Sequence, residues 1–217
     1  MNWHKSDGPG GKRGYHHGNL REALIKAALD LISEKGPAGF TFAEAARAAG
    51  VSAAAPYRHF RDRDALLAGV ALNGFQSFTG ALSAAWNEGR PSAREAFARV
   101  GAAHLAFARA EPAYFSAMFE SGLCLADHPD VRVEADKAFG VLRDACEAVL
   151  TAMPEKSRPP VLMMALHMWS LAHGTAALFA RGDKARRPIP MRPEELLEAA
   201  TIIYLDGLGV PGKGGVG

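Results

Sequence analysis

Residues 40–67 read FTFAEAARAAGVSAAAPYRHFRDRDALL, and this stretch decides the fold of the chain. Thr41 is followed three residues later by Glu44, which is the pattern of a helix N-terminal capping box. The alanine-rich helix that follows ends at a glycine, and Ser52 is predicted to cap a further short helix that runs through His59. Two short helices joined by a turn built on a glycine are the helix-turn-helix arrangement.

Helical spacing of apolar residues continues on both sides of this stretch. A helix from Leu20 to Lys35 precedes it, and Gly36 can adopt the left-handed conformation that ends a helix. A longer helix is predicted to begin at Asp62 and to continue to about Trp86. These flanking helices complete a compact N-terminal unit.

The rest of the chain is also predicted to be helical, and no convincing alternating strand occurs in it. Prolines stand at or near four of the helix starts, where the first turn tolerates them. The predicted helices cover residues 92–110, 112–122, 129–153, 159–180 and 193–208. The fold class is therefore all-α. We predict a flexible basic arm (1–14), a helix-turn-helix domain (15–66), a larger helical domain (67–210) and a flexible tail (211–217).

Composition indicates a soluble protein of the cytoplasm. Two cysteines among 217 residues are too few for a disulfide framework, and no apolar stretch follows the basic residues of the N-terminus as a secretory signal would require. Up to Leu66 there are ten basic against seven acidic residues, and beyond it fifteen against sixteen. This small excess is a weak indication of a polyanionic partner, since such excesses usually mark only a solvated face.

One segment is apolar enough to raise the question of a membrane. Residues 161–180 contain no Asp, Glu, Lys or Arg, and about 20 apolar residues can span a bilayer. His167, Ser170, His173 and Thr175 interrupt the segment, and a helix that is apolar on every face is equally typical of a bundle centre or a dimer interface. We therefore predict a buried helix and no membrane contact.

Residues 40–67 resemble the DNA-binding domain of the TetR family of transcriptional regulators. The matching features, in order, are Thr41, Ala45-Ala46, Ala49-Gly50-Val51-Ser52, Tyr57-Arg58-His59-Phe60 and Arg63-Asp64-Ala65-Leu66-Leu67. The resemblance implies a homodimer that binds a palindromic double-stranded DNA operator and is released from it by a small, largely apolar effector. It also implies that residues 159–180 and 193–208 of the two chains form a four-helix dimer interface.

The resemblance assigns roles to eight residues of the DNA-binding domain. It implies that phosphate is contacted by Thr41, Tyr57, His59 and Arg63, and that the major groove is faced by Ser52, Ala53, Ala54 and Arg58. A capping hydroxyl, a packed aromatic ring or a solvated charge is the alternative for each of them. Since alanines offer only methyl groups, Arg58 is the only long donor for reading bases.

Three positions depart from the family pattern. Ala54 stands where the family often has glycine, Pro56 where it usually has a large aliphatic residue, and Arg63 where lysine is usual. Pro56 falls at the fourth position of the predicted third helix and removes one early backbone hydrogen bond.

The larger domain carries a Trp-Ser-Leu-Ala-His-Gly segment that resembles a signature in the sensor domain of one TetR subgroup. Trp169 and His173 are one turn apart on one helix face, and Gly174 allows a close approach. A sensor pocket and a hydrogen-bonded core histidine are both open interpretations. The predicted lining of an apolar effector pocket is Phe107, Tyr114, Met118, Met164, His167, Trp169 and His173.

Catalysis finds little support in the sequence. There is no glycine-rich phosphate loop, nucleophile elbow or His-Glu-x-x-His pair, and the His16-His17 pair lacks a third metal ligand at useful spacing. We therefore predict no catalytic residue, cofactor or metal. A DNA-organising or protein-partnered member of the same fold, and a helical enzyme, are the alternatives to a ligand-responsive repressor.

Overall fold

A computed structural model describes residues 20–180 and 189–210, and within these ranges the chain forms eight α-helices and no strand. The predicted arm 1–14, residues 15–19 and the tail 211–217 lie outside the described residues. The helices are α1 (Leu20–Lys35), α2 (Phe42–Ala48), α3 (Arg63–Trp86), α4 (Ala93–Ala110), α5 (Pro112–Phe119), α6 (Pro129–Leu150), α7 (Val161–Ala180) and α8 (Pro193–Gly207). The all-α prediction is confirmed.

The helix ends of the N-terminal unit follow the capping signals in the sequence. Gly36 ends α1 with φ of 76°, and its amide donates to the carbonyl oxygen of Ile32 at 2.8 Å. At the start of α2 the Glu44 amide donates to Thr41 Oγ1, and the Glu44 carboxylate accepts from the Thr41 amide at 2.8 Å. This reciprocal pair is the predicted capping box, and it satisfies amides that the first turn of a helix leaves unpaired.

The third helix of this unit differs from the prediction. Instead of an α-helix capped by Ser52, the chain forms a single four-residue 3₁₀ helix, Ala55–Arg58. An α-helix beginning after Ser52 needs the amide of Pro56 as its first donor to the Ser52 carbonyl, and proline has none. That carbonyl instead accepts from the Ala55 amide at 3.1 Å, which is the tighter spacing of a 3₁₀ turn.

Two apolar cores meet along α3. Leu66, Leu67 and Val70 pack with α1 and α2 in the smaller core, whereas residues from Ala71 to Leu82 pack into the larger core with α4 to α8. The predicted boundary between residues 66 and 67 falls inside this helix. Because one helix contributes to both cores, the two regions are joined by packing as well as by the chain.

The short helix α5 is a second connection between the cores. Ala117 is fully buried among residues of α1 and α3 in the smaller core, and Ala113 packs beside it. Phe115 and Met118, on another face of α5, belong to the larger core. A displacement of α5 would therefore disturb both cores at once.

The apolar helix α7 is buried on one face only. Met164 and Ala165 are fully buried, while Leu162, Leu166 and Leu178 are about half exposed. Among the described residues, two helices are long and apolar enough to cross a membrane, namely α7 and α3 together with the turn that follows it. This is weak evidence for a membrane protein, because the core helices of soluble proteins have the same length and composition. Packing against α4, α6 and α8 covers one side of the helix, and the exposed apolar side is the one that a dimer interface, one of the two interpretations of this helix, would bury.

Candidate functional site

The predicted DNA-contacting residues gather on one part of the N-terminal unit. Thr41 at the start of α2 is exposed, and so are the predicted residues in and around the 3₁₀ helix, namely Ser52, Ala53, Ala54, Tyr57, Arg58 and His59. Between them Pro56 and Phe60 are buried and anchor the segment to the core. The two buried side chains thus fix the segment to the core while its polar side chains face solvent.

A ring contact brings the 3₁₀ helix to the start of α2. The Tyr57 ring lies 5.1 Å from the Phe42 ring, edge to face, and Tyr57 remains 63% exposed. This contact places Tyr57 near Thr41, the residue before Phe42. Hydrogen bonds from Lys35 and then from Thr41 lower the pKa of Glu44 to about 2, so Glu44 stays ionised and holds the N-terminus of α2 in place.

The guanidinium of Arg63 bonds the backbone of the loop that precedes Thr41. Nε donates to the carbonyl oxygen of Phe40 at 2.9 Å, another nitrogen donates to the Pro37 carbonyl, and the group lies 4.6 Å from the centre of the Phe40 ring. These contacts fix the loop between α1 and α2 to the start of α3. Arg63 therefore positions the loop that leads to Thr41, whether or not it also contacts phosphate.

The seven residues predicted to line an effector pocket are dispersed through the larger domain. Phe107, Met118 and Met164 are buried in its core, and Tyr114 is half-buried beside Met118, where both pack on Gly74. His167 is exposed on α7, and its Nδ1 lies 3.0 Å from the hydroxyl of Tyr204 on α8. Trp169 is the one member of the set that borders a cavity lying between α4, α7 and α8.

Trp169 and His173 share one face of α7, as their spacing predicts. Their rings are nearly parallel, with an angle of 8° between the planes and 6.1 Å between the centres. The His173 ring also stacks on Phe115 of α5 at 5.2 Å, and its Nδ1 is buried without a hydrogen-bond partner. Gly174 has no neighbour within 4 Å of an added Cβ, so nothing in the described residues requires a glycine there.

The cavity has a volume of about 570 Å³ and lies between α4, α7 and α8, with α3 and α6 at its inner end. Its walls are mainly apolar, and Leu197 of α8 closes over Gly101 of α4, where an added Cβ would lie 3.2 Å from the leucine side chain. A volume of this size is typical of sites for small molecules.

His104 joins the cavity to the aromatic residues beyond it, and the sequence-based set of site residues does not include it. It is 4% exposed, borders the cavity, and packs against Trp169 and His173 with ring centres 5.6 and 6.1 Å away. Desolvation, and then the nearby His173, lower the pKa of His104 to about 4, so the ring is neutral near pH 7. Its Nε2 is buried and has no hydrogen-bond partner. A histidine four residues after Val100, within the apolar stripe of α4, is the signal that could have pointed to it.

Charged residues at the rim of the cavity are directed largely to each other and to the backbone. Arg94 bonds Asp206 at 3.1 Å and also the carbonyl oxygen of Val210, which ties α4 to the end of α8. Arg99 donates to backbone carbonyls at the end of α3 and in the turn that follows it. Both arginines are thus engaged in holding the helices together.

Two family models match the chain. The model of bacterial regulatory proteins, tetR family, matches residues 24–70, and the model of the tetracyclin repressor-like C-terminal domain matches residues 97–201. The first range contains the exposed segment around the 3₁₀ helix, and the second contains His104 and Trp169. No curated protein matches the chain significantly.

Solved structures have the same fold over most of their length. A protein with unknown function from Rhodococcus sp. RHA1 is 30% identical with a TM-score of 0.73, covering 90% of this chain and 98% of that one. The TetR family transcriptional regulator PfmR from Thermus thermophilus is 22% identical with a TM-score of 0.66, covering 84% and 97%. A bacterial regulatory protein in the tetR family from Rhodococcus RHA1 is 19% identical with a TM-score of 0.67, covering 89% and 98%.

Proposed function

This chain belongs to the TetR family of transcriptional regulators, which are DNA-binding proteins and not enzymes, and we propose that it is a homodimeric cytoplasmic repressor that a small, largely apolar effector releases from a palindromic operator. The observation that carries the proposal is the exposed polar segment around Tyr57, Arg58 and His59, supported by buried Pro56 and Phe60. Donors held on a rigid support are what contacts to a DNA backbone require.

Arg58 is the side chain on this segment with the reach to contact a base edge. Ser52 can accept or donate one hydrogen bond, and Ala53 and Ala54 can only touch a thymine methyl group. Phosphate contacts from Thr41, Tyr57 and His59 would therefore supply most of the affinity. Binding that depends mainly on phosphate falls steeply as salt is raised.

The homodimer is supported by an apolar surface shared by α7 and α8. Leu162, Leu166 and Leu178 on α7 are about half exposed, and Ile202 and Ile203 on α8 are 45% and 72% exposed. The His167–Tyr204 hydrogen bond holds these two helices together. A second copy that packs the same two helices against this surface would bury it in a four-helix interface, as symmetric dimers commonly do. The same packing would explain why the exposed face of α7 is apolar without requiring that the helix cross a membrane.

Release by an effector is supported by the route that α5 provides between the two cores. Phe115 of α5 contacts His104 and His173, and Ala117, two residues along, is buried in the core of the N-terminal unit. An effector that binds only one of two arrangements of α5 would shift the population of dimers whose two DNA-binding segments match the half-sites.

Selection of bound sequences from random duplexes at low salt tests the proposal. We expect an enriched palindrome whose affinity for the dimer falls steeply with salt. Tyr57→Phe should weaken binding about two- to tenfold, as expected for one hydrogen bond, and His59→Ala should also weaken it. Arg58→Ala should weaken it by at least tenfold.

Arg132→Ala is the matched control, because Arg132 is an exposed arginine on α6, outside the N-terminal unit. Recovery of no palindrome would remove the repressor function. Sequence-independent binding would favour a DNA-organising protein, and a stable complex with another protein in place of DNA would favour the protein-partnered alternative.

A further inference from the structure

We propose that the cavity between α4, α7 and α8 binds an uncharged, mainly apolar small molecule that carries one hydrogen-bonding group, a hydroxyl or a carbonyl, and that His104 recognises this group. The inference rests on the proposed effector response and assigns the chemical class of the effector. It follows from two independent observations, the apolar walls of the cavity and an unpartnered, almost fully buried histidine on its border.

The apolar character of the molecule follows from the walls. The deep surface is formed by aliphatic and aromatic side chains such as Leu82, Leu142 and Met168, which are buried. The bordering residues of α4 run from Arg94 to Leu105, a helix length of about 16 Å. A molecule that fills this space gains affinity from apolar area removed from water, and a second polar group in the deep part would lose its hydration without replacement.

The hydrogen-bonding group follows from His104. A buried nitrogen without a partner has lost its hydrogen bonds to water without replacement, so a molecule that supplies a partner binds more tightly than one that does not. The neutral imidazole has one donor and one acceptor nitrogen, and it can therefore bond either a hydroxyl or a carbonyl. Half a turn about the Cβ–Cγ bond exchanges nitrogen and carbon positions in nearly the same outline, so the ring can offer a nitrogen to the cavity without repacking its neighbours.

The absence of a net charge on the molecule follows from the rim. Arg94 and Arg99 border the cavity, but their guanidinium groups bond Asp206 and backbone carbonyls. Glu194, also on the border, is paired with Arg109. Glu95 and Glu198 border the cavity as well. An anion would have to compete for arginines already engaged, and an ion of either sign would lose hydration against the apolar deep walls, whereas a neutral molecule disturbs none of these contacts.

A set of probes with one ring system tests the assignment. Naphthalene, 2-naphthol, 2-naphthoate and 2-naphthylmethylammonium share the apolar body and differ in the polar group. Each would be titrated into the full-length protein by calorimetry at neutral pH. We expect 2-naphthol to bind about five- to tenfold more tightly than naphthalene, the ratio that one hydrogen bond provides, and both charged probes to bind more weakly than 2-naphthol.

Three variants locate the site. His104→Leu should abolish the preference for 2-naphthol while still binding naphthalene, because it removes the ring nitrogens and leaves an apolar wall. Ala102→Phe should block all binding, since Ala102 is exposed on α4 and borders the cavity. Ala106→Phe is the matched control, because Ala106 is exposed one turn further along α4 and does not border the cavity.

Each outcome decides the inference. A charged probe that binds more tightly than 2-naphthol, an unchanged preference in His104→Leu, or no binding of any probe would overturn it. Measuring operator binding with the same protein preparations distinguishes a failure of the cavity assignment from a failure of the proposed repressor function. If 2-naphthol binds through His104 but no operator is found, the repressor function fails and the cavity assignment stands; if the operator is bound and no probe binds, the reverse holds.

Discussion

Acidification should destabilise this protein through His104. The ring is 4% exposed, and desolvation lowers its pKa to about 4, against 6.5 for an exposed histidine. Above pH 6.5 the ring is neutral in both the folded and the unfolded chain. Between pH 6.5 and about 4 the unfolded chain binds a proton that the folded chain does not, so the free energy of unfolding decreases as the pH falls.

The size of the effect follows from the two pKa values. At about 1.4 kcal/mol for each pH unit between 6.5 and about 4, the full loss is about 3 kcal/mol, of which about 2 kcal/mol is reached by pH 5. That is a substantial part of the stability of an ordinary domain. His173, whose pKa desolvation also lowers, adds to the loss in the same direction.

Urea unfolding, followed by circular dichroism at several pH values from 8 to 5, measures this effect in wild type and in His104→Leu. Both proteins are compared at one fixed protein concentration, because the stability of a dimer depends on concentration. Between pH 8 and pH 5 the variant should lose about 2 kcal/mol less than wild type. The comparison is between slopes, so a different stability of the variant at pH 8 does not affect it. Equal slopes in the two proteins would refute the assignment of a buried neutral His104.

Two further predictions concern the DNA-binding unit and the dimer. Arg63→Lys should destabilise the chain to urea by about 1–2 kcal/mol, because lysine keeps the charge but cannot bond two backbone carbonyls while stacking on Phe40; unchanged stability would contradict this role. Ile203→Asp should give a monomer in sedimentation equilibrium, whereas Val133→Asp, at an exposed apolar residue of α6, should leave the dimer intact; a dimeric Ile203→Asp protein would remove the proposed interface.

The positions of the helices were predictable because the signals that set them are local. Thr41 and Glu44 lie one helical turn apart, so their spacing alone specified the capping box. Gly36 likewise marked the end of α1 because a left-handed backbone favours glycine. Pro56 was just as local, and its missing amide accounts for the 3₁₀ helix that replaced the longer helix expected after Ser52.

The cavity and the partners of polar groups were decided by tertiary structure. The cavity depends on α4, α7 and α8 meeting at one place, and no spacing within a single helix shows which face of another helix lies opposite. Met118 and Met164 therefore turned out to be core residues, while His104, a histidine in an ordinary apolar stripe, borders the cavity. The sequence by itself determined where most of the helices begin and end and identified the family of the DNA-binding domain, since those signals act over one turn. Packing between distant segments alone decided which side chains share a cavity and which buried nitrogen is left without a partner.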